Sequence, residues 1–212
     1  MTLELHLGKL EQKTERRLLR LSQILDGAPL ASDAQDRRVA FVTIEAQNTW
    51  MEFCRFFFLG CALGGKDASG QRMVPAVGRY STVNDALTFA IHEVNPKLRG
   101  KTGPWSPRDE PTWHQAGEFS KIMRALNTSN VPNVVSAVSL APAALKHLPT
   151  FRNFYAHRSE HSAKRAQKLA TDYVVSTQLH PTKILLSYAP GRPRPILREW
   201  LDDLVVVVRL MS

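Results

Sequence analysis

Between Ser32 and Gly60 the residues Val39, Val42, Ala46, Trp50, Phe53 and Phe57 recur at spacings of three and four, the period of one helical face. This is the most hydrophobic helix the chain predicts, and Ser32 or Asp33 can cap its start. Glu45, Asn48, Glu52 and Arg55 fall on its polar side. They read more simply as a solvated or salt-bridged stripe than as the lining of a site.

The same period runs through most of the chain. Leu3, Leu7, Leu10, Leu18, Leu21 and Leu25 predict an amphipathic helix over residues 3–25, ended by Gly27 and Pro29. Asn84–Asn95 predicts a shorter helix burying Ala86, Leu87, Ala90, Ile91 and Val94, with Pro96 closing it and His92 structural. Thr112–Leu126 is the next, with Ala116, Phe119, Ile122, Met123 and Leu126 inward and Pro111 at a favourable starting position. Prolines, glycines and Trp105 make Pro96–Pro111 an irregular connection. A short apolar segment over Val134–Leu140 and a helical turn or two over Pro142–His147 lead to Pro149. Further on, Lys183–Tyr188 reads as extended and Pro195–Leu210 as helix, within which Val205–Val208 fits a strand as well.

A chain of 212 residues supports one substantial core, so a single domain over 1–212 is expected, with 178–212 as a C-terminal extension packed on it. Apolar residues at 43% and charged residues at 22% exclude disorder and a membrane protein, and no apolar run reaches the ~18 residues of a bilayer span. Met1–His6 lacks a basic region followed by an apolar one, so no secretory leader is expected and a cytoplasmic location follows. Cys54 and Cys61 lie seven apart on one predicted helix, too far to bridge, and are read as reduced. The formal charge of +9 favours a polyanionic partner. Gly60–Asp67 nearly spells a phosphate-cradling loop, but Asp67 stands where a hydroxyl should hold magnesium, and a helix precedes it where a strand is needed.

The chemistry concentrates at Thr150–Arg158, where Arg152, Asn153 and His157 are flanked by Phe151, Phe154 and Tyr155. A guanidinium forks onto phosphate oxygens, and an imidazole exchanges protons near neutral pH. A helix from Pro149 or Thr150 to about Val175 would bury Tyr155, Ser162, Ala166, Leu169 and Tyr173. Its other face would align Asn153, His157, His161, Lys164 and Lys168, with Arg158 as a further phosphate contact. At ~100° per residue, Arg152 points about 140° away from His157. Either the helix starts irregularly after Pro149 and lets the arginine curl across, or a second copy completes the site; the second is favoured.

Arg152-Asn153-Phe154-Tyr155-Ala156-His157 resembles the R-x4-6-H signature of the HEPN superfamily, in the form with a polar residue after the arginine. The resemblance implies an all-α, HEPN-like helical bundle, with a short β element allowed near residues 182–188. It also implies a homodimer and an endoribonuclease that needs no metal or cofactor. Arg152 would then bind the scissile phosphate, His157 act as acid–base and Asn153 orient the pair, while Arg158, His161, Lys164 and Lys168 hold the RNA. A 2′-hydroxyl attack on phosphorus makes RNA, not DNA, the substrate. A toxin or phage-defence role under an antitoxin or other regulatory protein is implied too. Related toxins often carry a tyrosine two positions after the histidine, and here that position is Ser159.

Two alternatives stay open. His157-Arg158-Ser159-Glu160-His161 also fits H-x-x-E-H, in which two histidines on one helical face bind zinc. The motif can equally belong to a non-catalytic RNA- or protein-binding module, with Arg152 capping the helix and His157 bonded in the interior.

Overall fold

The computed structural model describes residues 6–27 and 31–211. Its α-helices are α1 (Leu7–Leu25), α2 (Ser32–Ala62), α3 (Val83–Val94), α4 (Ala116–Leu126), α5 (Val131–Leu140), α6 (Pro142–His157), α7 (Glu160–Lys168), α8 (Pro181–Leu185) and α9 (Ile196–Met211). Short 3₁₀ turns lie at Pro96–Leu98 and Leu169–Tyr173. The protein is an all-α helical bundle. Among the described residues β pairing is confined to the isolated bridges His6–Lys66, Lys66–Arg72 and Tyr188–Pro195. No described helix is long and apolar enough to cross a membrane.

The chain divides into two compact units, one of Met1–Glu15, Trp50–Leu140 and Val207–Ser212, the other of Arg16–Thr49 and Ala141–Val206. Residues 178–206 therefore belong to the second unit and 207–212 to the first. In the first unit, Trp50, Phe53, Phe57 and Phe119 form an aromatic cluster with ring centroids 5.5–6.4 Å apart, which holds α2 against α4. Both cysteines are buried and free. Burial pushes the Cys61 thiol up to about 12 against hydrogen bonds with Asn130 and Thr128, so neither is poised as a nucleophile. Arg55 forks onto Glu110 at 2.6 and 2.7 Å, and in the second unit Arg17 pairs with Glu45 at 2.7 Å. The polar side of α2 is thus largely a salt-bridged stripe.

In the second unit Phe151, Trp200, Tyr173 and His147 pack ring on ring. Pro149 sits inside α6 rather than opening it. Its missing N–H removes one bond to the Leu145 carbonyl, yet burial of Leu148 and Phe151 keeps the helix intact. That helix ends at His157, not near Val175, because Arg158 adopts a left-handed conformation with φ 50°. Ser159 then caps α7, its Oγ accepting from the Ser162 N–H at 3.2 Å.

Other expectations change as well. Lys183–Tyr188 is not extended: Pro181 opens α8, His180 Nδ1 accepts from the Thr182 N–H at 3.3 Å, and Ile184 and Leu185 are buried. The β element near 182–188 reduces to the single bridge at Tyr188. Val205–Val208 is helical, inside α9. The helix expected from Thr112 starts at Ala116, because Trp113 turns inward onto Phe58 at 5.3 Å and the Thr112 N–H is taken by Glu118. Leu3 and Pro29, assigned to the first helix and its end, lie outside the described residues.

Candidate functional site

The turn at Arg158 sends α7 back along α6 as a helical hairpin. Near the turn His157 and His161 share one cleft, midway Thr150 and Arg165 line it together, and at the far end His147 meets Asp172 and Tyr173 just beyond α7. The cleft encloses about 200 Å³ and is lined by Thr150, Asn153, His157, Ser159, His161, Ser162 and Arg165. That is smaller than the roughly 300–1,000 Å³ of pockets that enclose a drug-sized ligand, and it suits one tetrahedral oxyanion with its flanking atoms. No carboxylate lines it among the described residues. Two imidazoles, a guanidinium, an amide and the Thr150 hydroxyl present donors to an anion, while the Ser159 and Ser162 hydroxyls donate to Ser162 Oγ and the Ser159 carbonyl. The opening turn of α7 adds the positive end of a helix at the cleft edge.

The outside of the turn is built differently. Arg158 Nη1 donates to Asp36 Oδ2 at 2.5 Å, and its guanidinium covers the Phe154 and Tyr155 rings at 5.7 and 5.3 Å. Asp36 Oδ1 also accepts from the Thr182 hydroxyl, which lies 2.9 Å from the Tyr155 hydroxyl. Burial pushes the Asp36 carboxyl up, but hydrogen bonds from Thr182 and Arg158 and the arginine charge outweigh it and hold the group below the usual carboxylate range. This clamp fixes a left-handed residue that carries a Cβ, a conformation that costs energy unless held.

Of the residues read from sequence, Asn153, His157 and His161 therefore meet in the cleft. Arg152 does not line it: α6 is continuous through Arg152 and His157, so no curled first turn unites them. Arg158 faces Asp36 instead of the cleft. Lys164 pairs with Glu160 at 2.6 Å, and Lys168 lies exposed beyond the lining. Arg165, Thr150 and Ser159 are not among the site residues read from sequence and Ser162 is read there as buried, because a continuous helix sets Arg165 about 80° away from His157 at ~100° per residue. Ser159 followed by Glu160 was the signal of a new helix start.

The break also separates the H-x-x-E-H histidines onto two helices, with Glu160 engaged by Lys164. Among the described residues no three His, Cys, Asp or Glu side chains are grouped to hold a metal. Nor does Arg152 cap a helix or His157 sit in the interior, since Arg152 is mid-helix and His157 exposed. No family model matches the chain, and neither a curated protein nor a solved structure gives a match.

Proposed function

We propose that the chain is an endoribonuclease that cleaves RNA at the α6–α7 cleft, without a metal, by attack of a ribose 2′-hydroxyl on the adjacent phosphorus. The observation that carries this reading is the meeting of His157, His161 and Arg165 in one cleft lined by no carboxylate among the described residues. The resemblance to HEPN ribonucleases supports the same reaction through His157 and Asn153, whereas its arginine, Arg152, lies outside the cleft lining.

One imidazole removes the 2′-hydroxyl proton as the O2′–P bond forms, and the other, protonated, gives its proton to the departing 5′-oxygen as the P–O5′ bond breaks. The products are a 2′,3′-cyclic phosphate and a 5′-hydroxyl. Arg165 offsets the charge that builds on the phosphoryl oxygens, and Asn153 holds the phosphate in register. A toxin or phage-defence role under a regulatory protein follows from the resemblance alone.

A second reading keeps Arg152 in the chemistry, supplied by a second copy in a homodimer. It is favoured by the half-exposed Arg152 side chain, which has no hydrogen bond or ion pair among the described residues. Cleavage of labelled RNA in EDTA by protein without a histidine tag separates the two. His157→Ala and Arg165→Ala should each lose at least about 10²-fold in rate with unchanged circular dichroism. A comparable loss in Arg152→Ala, restored by mixing it with His157→Ala, selects the dimeric site. Full activity in His157→Ala sinks the assignment.

A further inference from the structure

The cleft does not account for all the free positive charge on the hairpin. At ~100° per residue, Lys146, Thr150, Asn153 and His157 stay within about 60° of one another on α6, and His161, Arg165 and Lys168 do so on α7. Lys146 and Lys168 are exposed and form no ion pair among the described residues. Thr150 and Arg165 meet in the cleft and His147 meets Asp172 and Tyr173 beyond it, so these stripes run side by side away from the turn. Lys146 stands about 16 Å from His157 along α6, at ~1.5 Å per residue.

We infer that the cleft continues as a basic furrow to Lys146 and Lys168 and takes one strand of RNA across several phosphates. This rests on the ribonuclease reading for its register, with the scissile phosphate at His157 and His161, but not for its binding. Packed helices lie about 8–10 Å apart between axes, which admits a single sugar–phosphate backbone and not a duplex. Lysines at the far end contact phosphates as point charges, without reading sequence. Asp172, whose carboxylate lies 3.2 Å from His147 Nε2, closes that end against further phosphates by like charge. The expected footprint is about four nucleotides, the short end of single-strand sites.

Fluorescence anisotropy on the His157→Ala protein, with labelled single-stranded RNA from dinucleotide to octanucleotide, tests this. Affinity should rise with length, and adding Lys146→Ala and Lys168→Ala should weaken octanucleotide binding about tenfold. The same pair of changes should also reduce the slope of log affinity against log salt by about 1.4, at ~0.7 per phosphate contact. Lys97→Ala with Lys101→Ala, equal in charge but in the other unit, should leave the length dependence in place. An unchanged length dependence in the Lys146/Lys168 variant, equal binding of the duplex, or tighter binding of polyglutamate overturns the furrow. Cleavage of the octanucleotide by the unmutated chain is scored separately. Cleavage with unaltered length dependence in the lysine variant removes the furrow alone. Absence of cleavage with that dependence lost removes the ribonuclease reading and leaves a single-strand RNA-binding furrow.

Discussion

The α6–α7 hairpin carries a histidine near each end, and the two are handled in opposite ways. His147 is 4% exposed and is tied through Nδ1 into a buried network. Its Nδ1 is 2.6 Å from the Tyr173 hydroxyl, which also accepts from Trp200 Nε1 at 3.1 Å, while its Nε2 lies 3.2 Å from Asp172 Oδ2, off the line of a hydrogen bond. His157 is exposed, forms no side-chain hydrogen bond or ion pair among the described residues, and faces a cleft with Arg165. Buried polar groups are kept because their partners are kept. A group left without partners at a concave surface has its bonding capacity free for a ligand. The far end thus anchors the hairpin, and the turn end is where it can act.

The largest expected contrast comes from removing one polar group at each end. Tyr173→Phe leaves the His147 and Trp200 ring nitrogens without their shared partner, and burying them unpaired should cost about 1–3 kcal/mol in urea unfolding. His157→Ala removes a side chain that makes no hydrogen bond or ion pair among the described residues, so its stability should stay within about 0.5 kcal/mol of the parent. Equal losses at the two positions would erase the distinction between anchor and site.

Arg158 and Arg165 offer a finer comparison, since one guanidinium is committed to the fold and the other is not. Arg158→Ala loses the Asp36 pair and keeps a Cβ at φ 50°, which should cost about 1 kcal/mol. Arg158→Gly loses the same pair but relaxes the left-handed backbone, and should unfold later than the alanine variant. Arg165→Ala should match the parent in stability. If glycine proves no better than alanine, the turn is not strained and the clamp does not act through backbone conformation.

The fold was legible because every helix that builds a core repeats its apolar residues at three and four, as Val39 to Phe57 does. The ends were less so. Pro149 is a helix-breaking residue by local propensity, and only the burial of Leu148 and Phe151 explains why α6 runs through it. Lys183–Tyr188 has too few residues to separate period 2 from period 3.6, and tertiary burial of Ile184 and Leu185 decided it. In the candidate cleft, His157, Asn153 and His161 are the lining residues that chemistry and spacing single out. Arg165 was missed because one left-handed residue, an arginine with no tendency to that conformation, resets the helical phase. No periodicity count contains that information, since the clamp that holds Arg158 comes from Asp36, far away in sequence.

The smallest effect expected is the pH dependence of the anchor. Burial drives the His147 pKa below its ordinary 6.5; the Asp172 charge opposes this and Lys146 reinforces it. A histidine depressed in the folded state binds protons more readily when unfolded, so stability is complete above about 6.5 and is lost as the pH falls through the folded value. The thermal midpoint should therefore drop between about pH 7 and pH 5, beyond any change from the exposed histidines. Asp172→Asn removes the one charge that favours the protonated ring, so the loss on the acid side should become steeper. A shallower loss in Asp172→Asn would mean that His147 is protonated in the folded chain and paired to Asp172. The far end would then be a buried ion pair instead of a neutral hydrogen-bonded anchor.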